Sequence, residues 1–340
     1  MPLTDKYATK IPLTFKKDGT FRILMMSDLH HKPNTGKATV RAMRCLIDET
    51  KPDFVLLAGD NTTGKATNEE FLPLLADIAS PMEEANIPWA HVFGNHDKST
   101  DVSKEFQQAE YEKCPHCVSK AGPAELPGVG NYFLPVLDER GECVFGVWCL
   151  DSHQDFLTPD TPAFMEGESV WEILLPDRLH GRSDDDFIRF EQIMWYWNTS
   201  VELEKLCGHK IPSLMALHIP LFEFYAITRN AGRTGMRGEF GEKICCSEIN
   251  SGLFAACLQR GDVKAIFAGH DHNNTFDGIY CGIRMGFDGS IGAAAYGTSD
   301  HDPRGGKHRL RGGRIFDISA SNPADIKTEM VYVDERIYED

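Results

Sequence analysis

The sequence has no hydrophobic run long enough to cross a membrane, and its first ten residues lack the apolar core of a secretory signal peptide. It also has no excess of basic residues. The formal net charge of −16 argues against nucleic acid or an anionic membrane as the main binding partner. Its ten cysteines show no spacing typical of a disulfide framework. These absences predict a cytoplasmic protein with reduced thiols that binds neither nucleic acid nor membrane.

The composition that remains is that of an ordinary globular protein. Its 340 residues are 41% hydrophobic and 25% charged, which is enough for two average domains or one large α/β domain. Because the chain shows neither an internal repeat nor a clear linker, we expect one domain over residues 1–340, with its core at about residues 20–320. Residues 155–186 are too long for an ordinary connection and are interpreted as an insertion or lid.

Short apolar runs alternate with amphipathic segments in the first hundred residues. Residues 11–15 and 21–26 flank Asp18-Gly19, and this pattern predicts a β-hairpin. The strands that follow alternate with helices, which predicts a parallel sheet with right-handed crossovers. Residues 131–137 and 144–150 are predicted to pair as antiparallel strands. The mixture of sheet types predicts an α/β fold with two packed, mixed β-sheets.

Most of the predicted strands are followed directly by polar residues that can bind a metal. In open α/β sheets, the carboxyl ends of the strands form the edge where ligands bind. Carboxylate, amide and imidazole groups without thiolates suit two divalent or trivalent ions, such as iron, manganese or zinc, that share one carboxylate. Each motif alone could equally be a helix cap or a turn, so the prediction depends on the whole set. The residues are Asp28, His30, Asp60, Asn95, His96, Asp97, His218, His270 and His272.

These motifs give the sequence a resemblance to the calcineurin-like metallophosphoesterases. The matching motifs occur in the family's order and are Asp28-x-His30, Gly59-Asp60, Gly94-Asn95-His96-Asp97, His218 and Gly269-His270-x-His272. Further residues, among them Asn131, Asp151-Ser152 and Gln192, resemble the branch related to purple acid phosphatases. The resemblance implies a double β-sandwich flanked by helices, with a dinuclear metal centre at its edge.

The resemblance also implies how the ligands divide between two ions: Asp28, His30 and His272 for one, and Asn95, His218 and His270 for the other. Asp60 would bridge the ions, while His96 would face the substrate and be oriented by Asp97. Two residues depart from the family pattern. Thr63 stands where purple enzymes have a tyrosine, so no purple colour is expected, and Asn274 replaces an expected aspartate.

This constellation predicts a phosphoester hydrolase. Two cations roughly 3.5–4 Å apart lower the pKa of a bridging water and hold the phosphate oxygens for in-line attack. We therefore expect attack by a metal-bridging hydroxide, with His96 assisting the leaving group. A phosphomonoesterase acting on a small phosphoester or a phosphoprotein is the leading prediction. The alternatives are a phosphodiesterase acting on a nucleotide or similar diester and, less favoured, a non-catalytic scaffold with the same fold.

The loop at residues 229–239 is rich in glycine and arginine. Because guanidinium groups match the geometry of phosphate oxygens, Arg233 and Arg237 are candidates for substrate binding. The alternative is that these arginines form ion pairs with the nearby Glu239 and Glu242.

Several other polar residues have competing interpretations. His31, beside the first motif, is expected to be solvated, with substrate contact as the alternative, and His153 could line the site. Cys114-Pro-His-Cys117 has the spacing of a thiol oxidoreductase, but it follows a helix where that chemistry needs a helix start, so redox or zinc function is disfavoured. The run Asp184-Asp185-Asp186 is interpreted as a solvated loop.

Overall fold

The structure is a computed structural model that describes residues 6–33, 37–65, 67–98, 102–154, 185–247, 249–298 and 306–339. The strands in these ranges are β1 (Leu13–Thr14), β2 (Thr20–Met26), β3 (Phe54–Ala58), β4 (Trp89–Val92), β5 (Tyr132–Leu137), β6 (Cys143–Cys149), β7 (Ser213–Leu217), β8 (Val263–Ala268), β9 (Asp277–Tyr280), β10 (Ile283–Phe287), β11 (Gly312–Ser319) and β12 (Lys327–Tyr332). The helices are α1 (Ala38–Thr50), α2 (Asn68–Ala85), α3 (Lys104–Tyr111), α4 (Phe190–Cys207), α5 (Phe224–Arg229), α6 (Ala231–Thr234) and α7 (Leu253–Arg260), with a 3₁₀ helix at Glu335–Tyr338.

The strands form two mixed sheets that pack face to face. One sheet has the order β12-β11-β2-β3-β4, and the other has the order β1-β5-β6-β7-β8-β10-β9. Strands β2, β3 and β4 are parallel, as are β6, β7 and β8, while β5 and β6 are antiparallel as predicted. Apolar side chains of both sheets fill the layer between them, including Ile23, Leu56, Val147 and Phe267. The predicted fold class is confirmed.

Helices cover the outer face of each sheet. Met43 and Leu46 of α1 and Ile78 of α2 pack against the five-stranded sheet. Tyr196 of α4 and Phe254 of α7 pack against the seven-stranded sheet. The two helical layers bury apolar side chains on the outer faces, so the polar residues at the strand ends are held by a rigid scaffold.

The predicted hairpin between the first two strands is wrong, although its turn is present. Lys16 N donates to Thr20 O and Gly19 N donates to Lys16 O, which closes a turn at the expected place. The strands then separate: β1 pairs with β5 in one sheet, and β2 pairs with β3 and β11 in the other. A two-residue strand offers β2 far less pairing than β11, which matches it from Thr20 to Met25.

Some sequence predictions concern residues of uncertain placement. Most of the predicted insertion, residues 155–184, lies outside the described residues. The loop predicted at residues 229–239 instead contains the end of α5 and all of α6. Within the described ranges, none of the helices combines the length and the apolar character needed to span a membrane.

Candidate metal centre

The predicted ligands follow the carboxyl ends of five strands. Strands β2, β3 and β4 end at Met26, Ala58 and Val92, and β7 and β8 end at Leu217 and Ala268. The strands of each set are parallel, so their carboxyl ends lie at one edge of each sheet. The packing of the two sheets brings these edges together, and distant parts of the sequence therefore contribute to one pocket.

The backbone at these strand ends is strained. Asp28, His30, Asp60 and His270 all have positive φ angles, of 53°, 43°, 51° and 76° respectively. A residue other than glycine in this left-handed region costs roughly 1–3 kcal/mol, and such residues concentrate at functional sites. The strained backbone conformation at these four residues directs their side chains into the pocket.

Asp28, His30 and His272 form one buried group. Asp28 Oδ1 lies 3.1 Å from His272 Nε2 and 3.7 Å from His30 Nε2. The two imidazole Nε2 atoms are 3.2 Å apart. One oxygen and two nitrogens thus surround a space that a single metal ion could fill. The residues are the three that the resemblance assigned to one ion.

Asp60 faces both halves of the pocket with different oxygens. Its Oδ2 lies 3.3 Å from His30 Nε2, and its Oδ1 lies 3.4 Å from His218 Nε2. On the far side, His218 Nε2 is 3.2 Å from Asn95 Oδ1, and the rings of His218 and His270 are 5.2 Å apart between centroids. This is the position that a carboxylate shared between two ions would occupy.

The hydrogen bonds around the pocket fit a metal centre. Asp28 Oδ1 is buried and has no hydrogen-bond partner among the described residues, although His272 Nε2 lies 3.1 Å away. His218 Nδ1 donates to Ala58 O at 2.9 Å, and His272 Nδ1 donates to Tyr296 O at 3.1 Å. In the neutral rings, Nε2 therefore carries a lone pair that points into the pocket. Lone pairs that converge without a donor are costly unless a cation lies between them.

Without a metal, bound protons would have to balance the charge of this pocket. Burial opposes ionisation of Asp28, but the charges of His272 and its neighbours outweigh burial and hold the pKa of Asp28 well below its usual value. Burial also disfavours the imidazolium form of His218, but Asp60 and Asp28 raise its pKa to about 9. A metal ion would replace these protons, because it binds imidazole only in the neutral form.

His96 lies at the mouth of the pocket. Its side chain is exposed, and its ring centroid is 5.2 Å from that of His30. The role predicted for Asp97, orienting His96, is not supported by its contacts. The buried Asp97 carboxylate accepts hydrogen bonds from the backbone N–H groups of Thr62 and Gly94, at 2.9 and 2.8 Å. Asp97 therefore stabilises the backbone of the loop that carries His96. No hydrogen bond between the Asp97 carboxylate and the His96 ring is found in the described residues.

The two arginines predicted to bind substrate have different environments. Arg237 Nε donates to Asp277 Oδ1 at 2.9 Å, and the same guanidinium contacts the carbonyl of Thr328. Arg237 therefore ties β9 to β12 through an ion pair, although the partner is neither Glu239 nor Glu242, and its contact with substrate stays a prediction. Arg233 is exposed on α6, and its contact with substrate stays a prediction.

Burial also bears on the interpretation of His31 and of the cysteines at positions 114 and 117. His31 is 2% exposed and its Nε2 lies 3.1 Å from Asp77 Oδ2 of α2, so the expectation that His31 is solvated is wrong, while its contact with substrate stays a prediction. Cys114 and Cys117 are both free thiols. Burial raises the pKa of Cys114 to about 11 and that of Cys117 to about 12. Such thiols are poor nucleophiles at neutral pH, which agrees with the disfavoured redox function.

The branch-specific motifs form a network behind the pocket. Gln192 Nε2 donates to Asn131 Oδ1 and to Asp151 O, both at 2.8 Å, while Gln192 Oε1 lies 2.9 Å from His153 Nε2. His153 therefore belongs to this network. Ser152 Oγ accepts the N–H of the residue after His218, at 2.8 Å. The network ties β6 and α4 to the segment that presents His218.

One contact of the pocket was missed by the sequence analysis. Asp185, predicted to lie in a solvated loop, is 8% exposed, and its Oδ1 lies 3.0 Å from His270 Nε2. No spacing or periodicity in the sequence connects these residues. The signal that could have found Asp185 is chemical, since a metal-binding histidine usually needs a partner for its second nitrogen.

Comparison with known proteins agrees with this geometry. The calcineurin-like phosphoesterase family matches residues 21–274, a range that contains every predicted ligand. Among curated proteins, "Probable inactive purple acid phosphatase 14" of Arabidopsis thaliana is 29% identical over 318 residues, which cover 84% of this chain and 74% of that protein. "Phosphatase DCR2" of Saccharomyces cerevisiae is 25% identical over 286 residues, which cover 76% of this chain and 45% of that protein.

A similar fold is found among solved structures. A dimetal phosphatase from Danio rerio superposes with a TM-score of 0.52 at 14% identity, over 92% of this chain and 99% of that one. At this identity the likeness concerns the fold alone. The family match covers most of the chain and includes the strands whose ends build the pocket. The chain therefore belongs to the calcineurin-like phosphoesterase family, the metal-dependent phosphoric ester hydrolases.

Proposed function

We propose that this protein hydrolyses phosphomonoesters with the help of two metal ions bound in the pocket. The observation that carries the proposal is the buried Asp28 Oδ1, which has no hydrogen-bond donor in the described parts of the chain and faces the Nε2 atoms of His272 and His30. One ion would be held by Asp28, His30 and His272, and the other by Asn95, His218 and His270. Asp60 would contact both, since each of its oxygens faces a different half of the pocket.

Bound cations would make water nucleophilic at neutral pH and offset the negative charge of the phosphate. The chain itself supplies the remaining groups. The His96 N–H donates to Asp60 Oδ1 at 2.8 Å, so the backbone that carries this imidazole is fixed to the centre of the pocket. His96 is exposed at the mouth, where it can give a proton to the leaving oxygen of an ester.

The donor set limits the metals and the substrates. Nitrogen and oxygen ligands suit iron, manganese or zinc, and Thr63 cannot supply the tyrosinate that colours purple enzymes. The net charge of −16 does not prevent binding of an anionic phosphoester, because bound cations would reverse the local potential. A small phosphoester or a phosphoprotein is the substrate class we propose.

A non-catalytic role is the competing proposal, and one observation favours it. The Arabidopsis relatives are named as probable inactive purple acid phosphatases, whereas the yeast relative is named as a phosphatase. Those names describe those proteins. This chain keeps the full set of proposed ligands together with the exposed His96, which supports catalysis.

Metal analysis followed by turnover of a monoester and a diester tests the proposal. Purified protein should hold two ions and hydrolyse p-nitrophenyl phosphate faster than bis(p-nitrophenyl) phosphate, and a chelator should abolish both activities. Faster hydrolysis of the diester would replace the proposal with a phosphodiesterase. Two bound ions without turnover of either substrate would favour the non-catalytic role.

A substitution at the mouth separates catalysis from metal binding. We expect His96→Asn to lower kcat for the monoester by roughly 10²–10⁴-fold while metal content stays unchanged. His209→Asn is the matched control, because His209 is an exposed histidine just after α4. Equal activity of the His96→Asn and His209→Asn variants would show that His96 does not assist the leaving group.

A further inference from the structure

The carboxylate of Asp185 is buried against one proposed metal ligand. Asp185 Oδ1 lies 3.0 Å from His270 Nε2, and Asp185 is 8% exposed. We infer that Asp185 is a positioning residue that holds His270 with its proton on Nε2 and so leaves Nδ1 to bind a metal ion. The inference rests on the proposed metal centre and deepens it, because it concerns how one of the two sites is built.

The tautomer follows from what each partner can accept. An ionised carboxylate only accepts hydrogen bonds, so the His270 nitrogen that faces Asp185 must carry the hydrogen. His218 and His272 show the opposite arrangement: each donates from Nδ1 to a backbone carbonyl and leaves Nε2 free. His270 therefore differs from these two ligands both in the nitrogen it offers and in being held by a charged side chain.

Asp185 is itself held in place by its neighbours. The next residue, Asp186, receives two hydrogen bonds from the guanidinium of Arg189, at 2.6 and 3.0 Å. The backbone N–H of Asp186 donates to Gln154 O at 2.9 Å, and Arg189 N donates to Gln192 Oε1 at 2.8 Å. These contacts join the segment to the start of α4 and to the residues after β6. The backbone next to Asp185 is thus fixed by hydrogen bonds that involve none of the proposed metal ligands.

A fixed carboxylate behind a histidine ligand also makes the imidazole a stronger donor to a cation. Loss of such a partner typically weakens metal binding by about 10–100-fold. The effect should be confined to the ion that His270 binds, because the ligands of the other ion have different partners. An asparagine at position 185 could still accept the hydrogen bond but would lack the charge, so it should have an intermediate effect.

Metal binding measured without substrate tests the inference. Protein stripped of metal would be dialysed against buffered Mn²⁺ or Zn²⁺, and the bound ions counted by mass spectrometry as the free concentration is varied. We expect Asp185→Ala to weaken one of two sites by about 10–100-fold and to leave the other unchanged, with Asp185→Asn in between. Wild-type affinity at both sites in Asp185→Ala would overturn the inference.

Glu83→Ala is the matched control. Glu83 Oε2 accepts from His116 Nδ1 at 2.7 Å, and this pair lies near the start of β4, at the opposite end of the strand from the pocket. Its loss should leave metal binding unchanged. His270→Ala provides a second comparison, because Asp185→Ala should cause no further loss in that background. A full additional loss there would show that Asp185 acts on the fold and not through His270.

Two further results keep the test decisive. If Asp185→Ala does not fold, Asp185→Asn carries the test, and wild-type affinity in that variant would overturn the inference. If wild-type protein binds two ions but has no phosphatase activity, the proposed function fails while the role of Asp185 stands on the binding data.

Discussion

Among the regions of this molecule that bury carboxylates, the cluster around Asp277 and the metal pocket balance the charge in different ways. Asp277, which is 1% exposed, accepts hydrogen bonds from Arg237, Arg284 and Arg314, and Arg314 is itself buried. In the pocket, Asp28 is equally buried, yet its Oδ1 has no donor among the described residues. The first cluster contains its own cationic side chains, whereas the second brings carboxylates together with imidazole groups that could hold a metal ion.

The difference indicates a structural role for the first cluster and supports the metal-binding role proposed for the second. A buried carboxylate costs free energy unless it is paired, so a buried carboxylate oxygen without a donor, beside several imidazole nitrogens, is a candidate for binding a cation. The arginines around Asp277 also donate to backbone carbonyls of Thr275, Phe287 and Thr328, and so they lock strands together. The groups around Asp28 make hydrogen bonds that aim lone pairs inwards.

The largest effect is expected from removing the shared carboxylate of the pocket. Asp60→Asn should abolish binding of at least one ion and reduce phosphatase activity to the background level, because Asp60 faces both halves of the site. The fold should survive, since Asp60 lies at the edge of the sheet and not between the sheets. Metal counting and circular dichroism together check this. Two bound ions per molecule in the Asp60→Asn variant would contradict the role of Asp60 as a shared ligand.

The corresponding change in the other cluster should affect stability and leave the chemistry intact. Asp277→Asn removes the counter-charge of three guanidinium groups, of which only that of Arg314 is buried, and breaking this buried ion pair costs about 3–5 kcal/mol. Urea unfolding would measure the loss. Metal content of the folded fraction should stay at the wild-type level, and a loss of metal there would mean that the two clusters are coupled.

A methyl group placed against the pocket should have a smaller effect on stability. A Cβ at Gly59 would lie 2.4 Å from His218 Nδ1, and the residue has a φ of +96°. Gly59→Ala should therefore displace the imidazole, weaken metal binding and cost about 1–3 kcal/mol. Gly141→Ala is the control, because Gly141 has a φ of +75° with open space around it. The control should show only the conformational cost of about 1–2 kcal/mol, with normal metal binding.

Two buried histidines, His91 and His218, should make the stability of the protein depend on pH in opposite ways. Burial lowers the pKa of His91 to about 3, and neither of its ring nitrogens has a hydrogen-bond partner among the described residues. The pKa of His218 is raised instead, to about 9, because Asp60 and Asp28 outweigh the effect of burial. In metal-free protein, the stability contributed by His218 should be present below pH 6.5 and be lost as the pH rises through 9.

His91 should act in the opposite direction. Because its folded-state pKa is depressed, its contribution to stability is present above pH 6.5 and is lost as the pH falls towards 3. His91→Leu should remove this acid sensitivity and leave the alkaline loss unchanged. Urea unfolding of both proteins across this pH range, in the presence of a chelator, checks both effects. An unchanged acid profile in the variant would contradict the assignment to His91.

The ligands of the pocket could be predicted because their positions follow from local rules. A buried strand ends where its apolar run ends, and parallel strands place their carboxyl ends at one edge. Asp28 and Asp60 lie just past such runs in one sheet and His218 lies just past such a run in the other, and the packing of the two sheets brings the two edges together. The resemblance to a known family then divided the ligands between two ions, and the structure places Asp28, His30 and His272 in one group as that division requires.

The remaining features depend on partners that local sequence does not identify. The turn at Asp18-Gly19 was predicted, but β2 pairs with β11, which lies almost three hundred residues later in the chain. The sequence indicated Glu239 and Glu242 as possible ion-pair partners of Arg237, but the structure pairs Arg237 with Asp277, forty residues away in the chain. Asp185 lies in an acidic run with no periodicity, and its contact with His270 depends on how Arg189 and Gln192 hold the segment.

Anomalous diffraction from metal-loaded crystals tests the central claim most directly. Data collected at the absorption edge of the bound metal should show two peaks in the pocket, roughly 3.5–4 Å apart, with Asp60 between them. The first peak should contact Asp28, His30 and His272, and the second should contact His218 and Nδ1 of His270. Crystals soaked in metal that show no peak beside Asp60, or peaks only elsewhere on the molecule, would contradict the account.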